Sequence, residues 1–213
     1  MSSIADIRKE YRFKTLSEAE IAADPFTQFG HWWHEAMHSE LEEVNAMTLA
    51  TATATGKPSA RIVLLKGVTP RGFTFFTNYE SHKGHELAEN PFAALLFFWA
   101  PLERQVRIEG KVEKLSAEES DAYFNSRPEG SRIGAWSSPQ SEVIPGRAVL
   151  EERENSYREK FKEGQIPRPA HWGGYIVKPV LVEFWQGRPN RLHDRIQYRL
   201  QDNHTWKTER LAP

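Results

Sequence analysis

From Asn45 onward the chain divides into short runs rich in Thr, Ala, Val, Ile and Phe, each closed by Gly, Pro or Asn, and this rhythm limits the fold most. Met47 to Thr53 and Ser59 to Lys66 flank the turn Thr55-Gly56-Lys57-Pro58, which predicts a hairpin. Thr69-Pro70-Arg71-Gly72 turns into a strand over Phe73 to Thr77, and a helix is expected from Ser81 to Asn90, before Pro91. Phe92 to Trp99 is almost continuously apolar, and Arg104 to Leu115 alternates in character, giving five strands. Ser116-Ala117-Glu118-Glu119 is a capping box whose helix must end near Arg127-Pro128. Residues 129 to 146 read as loop, Arg147 to Lys162 as a charged helix and Ile166 to Pro169 as a linker; strands are expected near Tyr175–Val177, Leu181–Trp185, Arg195–Leu200 and Trp206–Arg210. Consecutive short strands with few βαβ alternations predict an α+β chain, mainly antiparallel β, built as a barrel flanked by helices.

Ahead of this region, Asp24-Pro25 opens a helix with Phe26, Phe29, Trp33 and Met37 at helical spacing, the expected core face. His31, His34 and His38 lie elsewhere on it and are read as a solvated face rather than a metal site, since one helix spreads them over two turns. Residues 1–23 form a charged, weakly periodic arm, and residues 24–213 a single domain. A net charge of -1, from 28 Lys and Arg against 29 Asp and Glu, provides no global field for nucleic acid or acidic membranes. The absence of cysteine excludes thiolate chemistry and Cys-type metal sites, so redox chemistry would need a bound cofactor. No apolar run reaches membrane-spanning length, and a soluble cytoplasmic protein is expected.

Local cation groups therefore need local anions. Arg191, His193 and Arg195 recur at every second position after the turn Gly187-Arg188-Pro189-Asn190, which predicts a strand that aims all three to one side. Two guanidiniums and an imidazole are poor core material; the cluster is either a salt-bridged, solvated hairpin or an anion site. Arg61 and Lys66 end an apolar strand, Ser81-His82-Lys83 opens a helix whose free amides favour phosphate, and Arg104-Gln105 adds a cation and an amide. Tyr123, Arg127 and Ser131 gather around a helix end, where Arg127 alone reads as a favourable partner for the helix dipole. Neither Gly-x-Gly-x-x-Gly nor a P-loop occurs, so side chains must hold any phosphate. Gly-x-Ser-x-Gly and His-Glu-x-x-His are also missing, which lowers hydrolase readings.

Ten collinear stretches together resemble the pyridoxine/pyridoxamine 5'-phosphate oxidase family over nearly the whole chain. They are Arg61-Ile-Val-Leu-Leu-Lys66, Phe75-Phe-Thr-Asn78, Glu103-Arg-Gln-Val106, Tyr123-Phe-Asn-Ser-Arg-Pro128, Ile133-Gly-Ala-Trp136, Gln140-Ser141, Trp172-Gly-Gly174, Glu183-Phe-Trp-Gln-Gly187, Arg191-Leu-His-Asp-Arg195 and the ending Glu209-Arg-Leu-Ala-Pro213. The resemblance implies an FMN-binding split β-barrel, a homodimer with flavin at the interface, and oxidation of pyridoxamine or pyridoxine 5'-phosphate by O2. By matching motif, FMN contacts would be Arg61, Ile62, Val63, Leu64, Leu65, Lys66, Phe76, Thr77, His82, Lys83, Gln105, Gln140, Ser141, Trp185 and Arg195. Substrate contacts would be Lys66, Tyr123, Arg127, Ser131, Arg191, Leu192 and His193, with Arg191 and His193 beside the reacting carbon. Arg8, Lys9, Glu10 and Tyr11 match a segment that resembles a lid over the substrate. No nucleic acid, membrane or metal is implied. Two other readings are a non-turnover protein that binds flavin or a vitamin B6 phosphate, and an NAD(P)H-dependent flavin reductase. The second anion group, Tyr123, Arg127 and Ser131 joined to Arg191 and His193, favours the oxidase, because a flavin carrier has no need of it.

One departure stands out: where the family usually has Ser-Arg-Lys, this chain has Ser81-His82-Lys83. An imidazole is only partly charged near its ordinary pKa of about 6.5 and makes no two-pronged contact with phosphate. Weaker FMN retention that worsens at alkaline pH is expected; flavin release unchanged from about pH 6 to about pH 9 contradicts it.

Overall fold

The computed structural model describes residues 4, 10, 11 and 14–213. Helix α1 (Pro25–Met37) is capped by Asp24, whose carboxylate accepts from the Phe26 and Thr27 amides, while Pro25 occupies the first turn. Its core face differs from the expected one. Phe29, Trp32 and Ala36 are buried and Phe26 and Trp33 partly so, whereas Met37 is 57% exposed. The face is thus rotated toward Trp32, which packs edge-on against Phe184 and carries the Arg104 guanidinium 4.2 Å from its ring centre.

The strands are β1 (Ala46–Ala52), β2 (Pro58–Leu64), β3 (Gly67–Thr69), β4 (Gly72–Asn78), β5 (Phe92–Trp99), β6 (Arg104–Lys114), β7 (Trp172–Gln186), β8 (Asp194–Leu200) and β9 (Trp206–Leu211). They form one antiparallel sheet in the order β2-β1-β5-β6-β7-β4-β3, with β8 pairing β7 and β9 pairing β8. Among the described residues six strands, not five, precede residue 115, because β3, only three residues long, fits between the expected strand ending at Lys66 and the turn that starts at Thr69. The two strands expected at Tyr175–Val177 and Leu181–Trp185 are one. Pro179, which has no N–H to donate, sits opposite Gly110 at a bulge, so β7 bends there and continues. Gly110 is required at that spot, since a Cβ would lie 2.1 Å from the Lys178 carbonyl oxygen.

Alternation divides the sheet into two faces. Met47, Leu49, Leu95, Phe97, Val106, Ile108, Val182, Phe184, Ile196 and Tyr198 point inward and are essentially water-free. The sheet curls until its ends nearly meet: after β2 the Leu65 amide donates to Asn45 and the Lys66 amide donates to the Thr74 carbonyl on β4 at 2.8 Å. A gap remains between β2 and β4, the split of the barrel.

Among the described residues four more α-helices follow: α2 (His82–Glu89), α3 (Ala117–Ser126) and α4 (Glu129–Ser137) border that gap, and α5 (Arg147–Lys160) packs on α4. The capping box at Ser116 and Glu119 forms as expected. Helix α4 replaces part of the expected loop. Gly130 and Gly134 weaken its helical signal, but burying Ile133 against Phe124, Ile166 and Trp172 overrides local propensity. Leu16, from the segment before α1, is buried in the main core, and its amide donates to Asp194. Among the described residues no helix is long and apolar enough to cross a membrane.

Candidate functional site

The gap between β2 and β4 opens into a cavity of about 870 Å³. Its walls are the β2 edge (Arg61 to Leu64), Lys66, Phe76 and Thr77 of β4, His82 and Lys83 at the start of α2, Tyr123 and Arg127 at the end of α3, Ser131, and Gln140 and Ser141. Fourteen of the expected contacts are therefore neighbours in space. Arg61, Lys66, Lys83 and Arg127 bring four permanent or near-permanent cations, and no Asp or Glu is among the described lining residues. Leu65 is the exception within its stretch, since its side chain is buried in the core.

Lys83 shows what the cavity lacks. It is buried, and its ammonium donates to Thr77 Oγ1 at 3.1 Å, Ser81 Oγ at 3.1 Å and Gln140 Oε1 at 2.9 Å, all neutral. Burial, and then the charge of Arg61, push its pKa down to about 8. A lysine in the first turn of a helix also faces the positive end of the dipole, and a bound anion would offset both charges. Position 84 admits only glycine, because a Cβ would lie 2.0 Å from the Tyr79 carbonyl oxygen; this tight start brings Lys83 inward.

Arg127 faces the same space. Its guanidinium lies 4.5 Å from the Trp172 ring centre, and its Nη1 is buried with no hydrogen-bond partner among the described residues. Tyr123 stacks on Phe76 at 3.9 Å, and Phe76 stacks on Trp172 at 5.6 Å, a layered aromatic wall beside the cations. Arg61 is tied from behind. Its Nη1 donates to Thr51 Oγ1 and its Nη2 to Ser59 Oγ, each at 2.5 Å, and both hydroxyls reach the buried Glu86. Burial raises the Glu86 pKa, but the bonds from Ser59 and Thr51, the charge of His82 and the bond from Arg61 outweigh it and hold the carboxyl below its usual range. Sequence reasoning assigns no contact to Thr51, Ser59, Glu86 or Trp172, although Trp172 lies in one of the ten stretches. The period-two polar series Ser59-x-Arg61 on β2 was the available sign.

The remaining expected residues lie elsewhere on this chain. Gln105 on β6 pairs with Trp185 on β7, and Trp185 pairs with Arg195 on β8. Trp185 packs against the His193 ring at 4.5 Å, and Tyr11 meets both, 5.7 Å from Trp185 and 6.0 Å from His193. His193 Nδ1 accepts from the Arg188 amide at 3.1 Å; burial, and then the charge of Arg191, lower its pKa. Arg195 donates to Glu183 Oε1 at 2.7 Å, which raises its pKa, and Arg107 holds the other oxygen at 2.7 Å. The expected single strand through Arg191, His193 and Arg195 is not formed. Asn190 and Arg191 have φ of 56° and 61° in a 3₁₀ turn, and β8 begins only at Asp194. Arg191 and Leu192 are exposed, as is Glu10, while Arg8 and Lys9 lie outside the described residues. Arg188 is partly buried and bonded to the Lys14 carbonyl and Asp194.

Within one chain this second group lies far along β7 from the β4 wall of the cavity. Phe76 pairs with Gly174 and Gln105 with Trp185, so eleven residues of β7 (174 to 185) separate them, a run of about 35 Å at the usual strand rise. Trp185, Gln105 and Arg195 share the outer sheet face with Ile62 and Phe98, which are 65% and 55% exposed. An open face with that much apolar surface suits a protein partner. The three histidines of α1 form no metal-binding group, and among the described residues none is found.

The Lys83 pKa has a consequence. Below about pH 8 the amine carries its proton and attracts phosphate; above it the neutral amine does not, and binding must recover that proton. Affinity of the empty cavity for a phosphate ester is expected to fall as pH rises from 8 toward 10, with Lys83→Met weaker throughout and without that alkaline limb. Titrations that give the same affinity across this range contradict the assignment.

Two family models cover most of the chain: residues 33–158 match "Pyridoxamine 5'-phosphate oxidase" and residues 172–213 match "Pyridoxine 5'-phosphate oxidase C-terminal dimerisation region". The pyridoxine/pyridoxamine 5'-phosphate oxidase of Cupriavidus necator is 62% identical over 213 residues, all of both chains. Its counterpart from Salinibacter ruber is 60% identical over 215 aligned positions, again with both chains fully covered. The crystal structure of PhzG from Burkholderia lata, in complex with tetrahydrophenazine-1-carboxylic acid, superposes with a TM-score of 0.86 at 30% identity, covering 92% of this chain and 95% of that one. An FMN-binding, pyridoxamine 5'-phosphate oxidase-related protein of Nostoc punctiforme shares the fold, with a TM-score of 0.72 at 18% identity over 91% of this chain and all of that one. With both family models, full-length relatives and a split-barrel fold in agreement, the chain belongs to the pyridoxine/pyridoxamine 5'-phosphate oxidase family.

Proposed function

We propose that this protein is an FMN-dependent oxidase that converts pyridoxamine 5'-phosphate and pyridoxine 5'-phosphate to pyridoxal 5'-phosphate with O2, acting as a cytoplasmic homodimer. The carrying observation is the cavity between β2 and β4, where buried Lys83 has only neutral partners and a buried Arg127 nitrogen has none among the described residues. That donor set fits two phosphate groups, one near Arg61 and Lys83, the other near Arg127, Tyr123 and Ser131, with Lys66 between them. When bound, FMN would be held by Arg61, Lys66, Thr77, Lys83 and Gln140 and would supply the redox capacity for oxidation at the substrate's exocyclic carbon, with O2 as the final acceptor, reduced to H2O2.

The chain's residues bind and orient. Lys83, Gln140 and Thr77 form a polar network ready for the flavin phosphate, and Arg61 to Leu64 line one wall. Tyr123, Arg127 and Ser131 anchor the substrate phosphate, which fixes the position of its exocyclic carbon. Arg191 and His193 complete the site from the partner subunit: they lie far along β7 from the Phe76 and Thr77 wall of their own chain's cavity, on the side of the exposed outer face. The dimerisation-region match over residues 172–213, which contains them, supports this reading. Arg191 holds the substrate and stabilises developing charge. His193, whose Nδ1 accepts the Arg188 amide, keeps a proton on Nε2 to donate to a ring hydroxyl or exocyclic group. Water hydrolyses the imine made from the amine substrate and releases NH3.

Purified protein is expected to carry a yellow flavin spectrum and, with pyridoxamine 5'-phosphate under air, to form peroxide and aldehyde. Flavin bleached by NADH but not by the pyridoxamine ester would overturn this in favour of a reductase; no response to either leaves a binding protein. Arg191→Met is expected to lower kcat/KM at least about tenfold, or about 1.4 kcal/mol, with the melting temperature unchanged. Wild-type kinetics in that variant would remove Arg191 from the site.

A further inference from the structure

We propose that Glu86 is a positioning residue, which holds Arg61 in the cavity wall for the flavin phosphate by fixing the hydroxyls of Thr51 and Ser59. This inference rests on the reading of the cavity as an FMN site and concerns how one of its cations is presented.

Glu86 is 3% exposed on the inner side of α2. Thr51 Oγ1 donates to its Oε2 at 2.5 Å, and Ser59 Oγ donates to Oε2 at 2.6 Å and Oε1 at 2.8 Å. A hydroxyl has a single proton. Once the carboxylate accepts that proton, each hydroxyl oxygen presents only lone pairs to its other neighbours, of which the nearest for both is Arg61; the two oxygens themselves are 3.4 Å apart. The direct contact between Arg61 Nη2 and Glu86 is longer, 3.3 Å, so the short bonds pass through the hydroxyls. The Leu49 carbonyl accepts from Nη1 at 3.3 Å and closes the cradle.

The geometry follows from the sheet. Thr51 pairs with Ser59 across β1 and β2, and Leu49 pairs with Arg61, so Thr51, Ser59 and Arg61 share the inner face. Helix α2 lays Glu86 across that face while its first turn brings His82 and Lys83 into the cavity; His82 Nε2 also lies 3.1 Å from Glu86 Oε1. One buried carboxylate thus connects the β2 wall to the helix start. Supporting groups of this kind orient the residues that touch a ligand.

A plain counter-charge would act in the opposite direction. Removing a negative charge near a phosphate site strengthens phosphate binding by Coulomb's law, whereas removing a positioning group weakens it. Glu86→Gln separates the two, because it removes the charge and, with the amide oxygen kept where Oε2 accepts from Thr51 and Ser59, puts an NH2 donor at the Oε1 position, so that Ser59 Oγ must accept there and turns a lone pair away from Arg61. Ser59→Ala is the second probe. It keeps the carboxylate and deletes one link, on a strand none of whose residues is fully buried.

The test measures FMN binding to apoprotein by quenching of flavin fluorescence, with folding checked by circular dichroism. Glu86→Gln is expected to raise the Kd about tenfold and Ser59→Ala to raise it severalfold. In an Arg61→Gln background both effects should shrink to less than about twofold, which a general loss of structure would not produce. Unchanged Kd in folded variants, tighter binding in Glu86→Gln, or effects undiminished without Arg61 would each overturn the inference. If Glu86→Gln does not fold, Ser59→Ala with its double variant decides alone. Wild-type apoprotein that takes up no FMN would instead fail the reading of the cavity itself.

Discussion

Strand β7 is hydrogen-bonded to β6 along almost its whole length, while its other edge is shared, the first half pairing with β4 and the second with β8. Continuity through the bulge at Gly110 and Pro179 makes this possible. Were β7 two strands, the cavity wall of β4 and the aromatic cluster at Trp185 could move independently. As one strand it sets their separation, and the separation divides the proposed site between two chains.

Charge governs each half differently. In the cavity, cations are brought together before any anion arrives, at the cost of desolvating Lys83 and leaving an Arg127 nitrogen without a partner among the described residues. A fold tolerates such strain where binding relieves it. Near Trp185 three of the cations are already paired: Arg195 and Arg107 grip the buried Glu183, and Arg188 meets Asp194. Buried Glu86 and Glu183 thus play parallel parts, each fixing an arginine that faces outward from the sheet or into the cavity.

Most of the architecture was legible from sequence because period-two alternation and turn residues mark antiparallel strands directly, as in Phe92–Trp99, where the expected and observed limits agree. The failures have physical causes. Pro179 reads as a strand break but sits at a bulge, the glycines of α4 hide a helix held by Ile133, and Met37 fits the helical period on a face that tertiary packing leaves exposed. Cation positions were legible because unpaired charge is rarely structural. The carboxylate that supports Arg61 was not, since Glu86 comes from a different element and lies 25 positions away. Arg191, His193 and Arg195 look like one row of a strand, yet the left-handed turn at Asn190 and Arg191 breaks it.

The proposed two-chain site is tested most directly by mixed dimers of Arg127→Met and Arg191→Met chains, purified through different tags. If each site takes its cavity from one chain and Arg191 from the other, one of the two sites in the mixed dimer carries both substitutions and the other carries neither. Oxidase activity near half that of the wild-type dimer is the predicted result, far above either parent variant. A mixed dimer no more active than its parents would contradict the account.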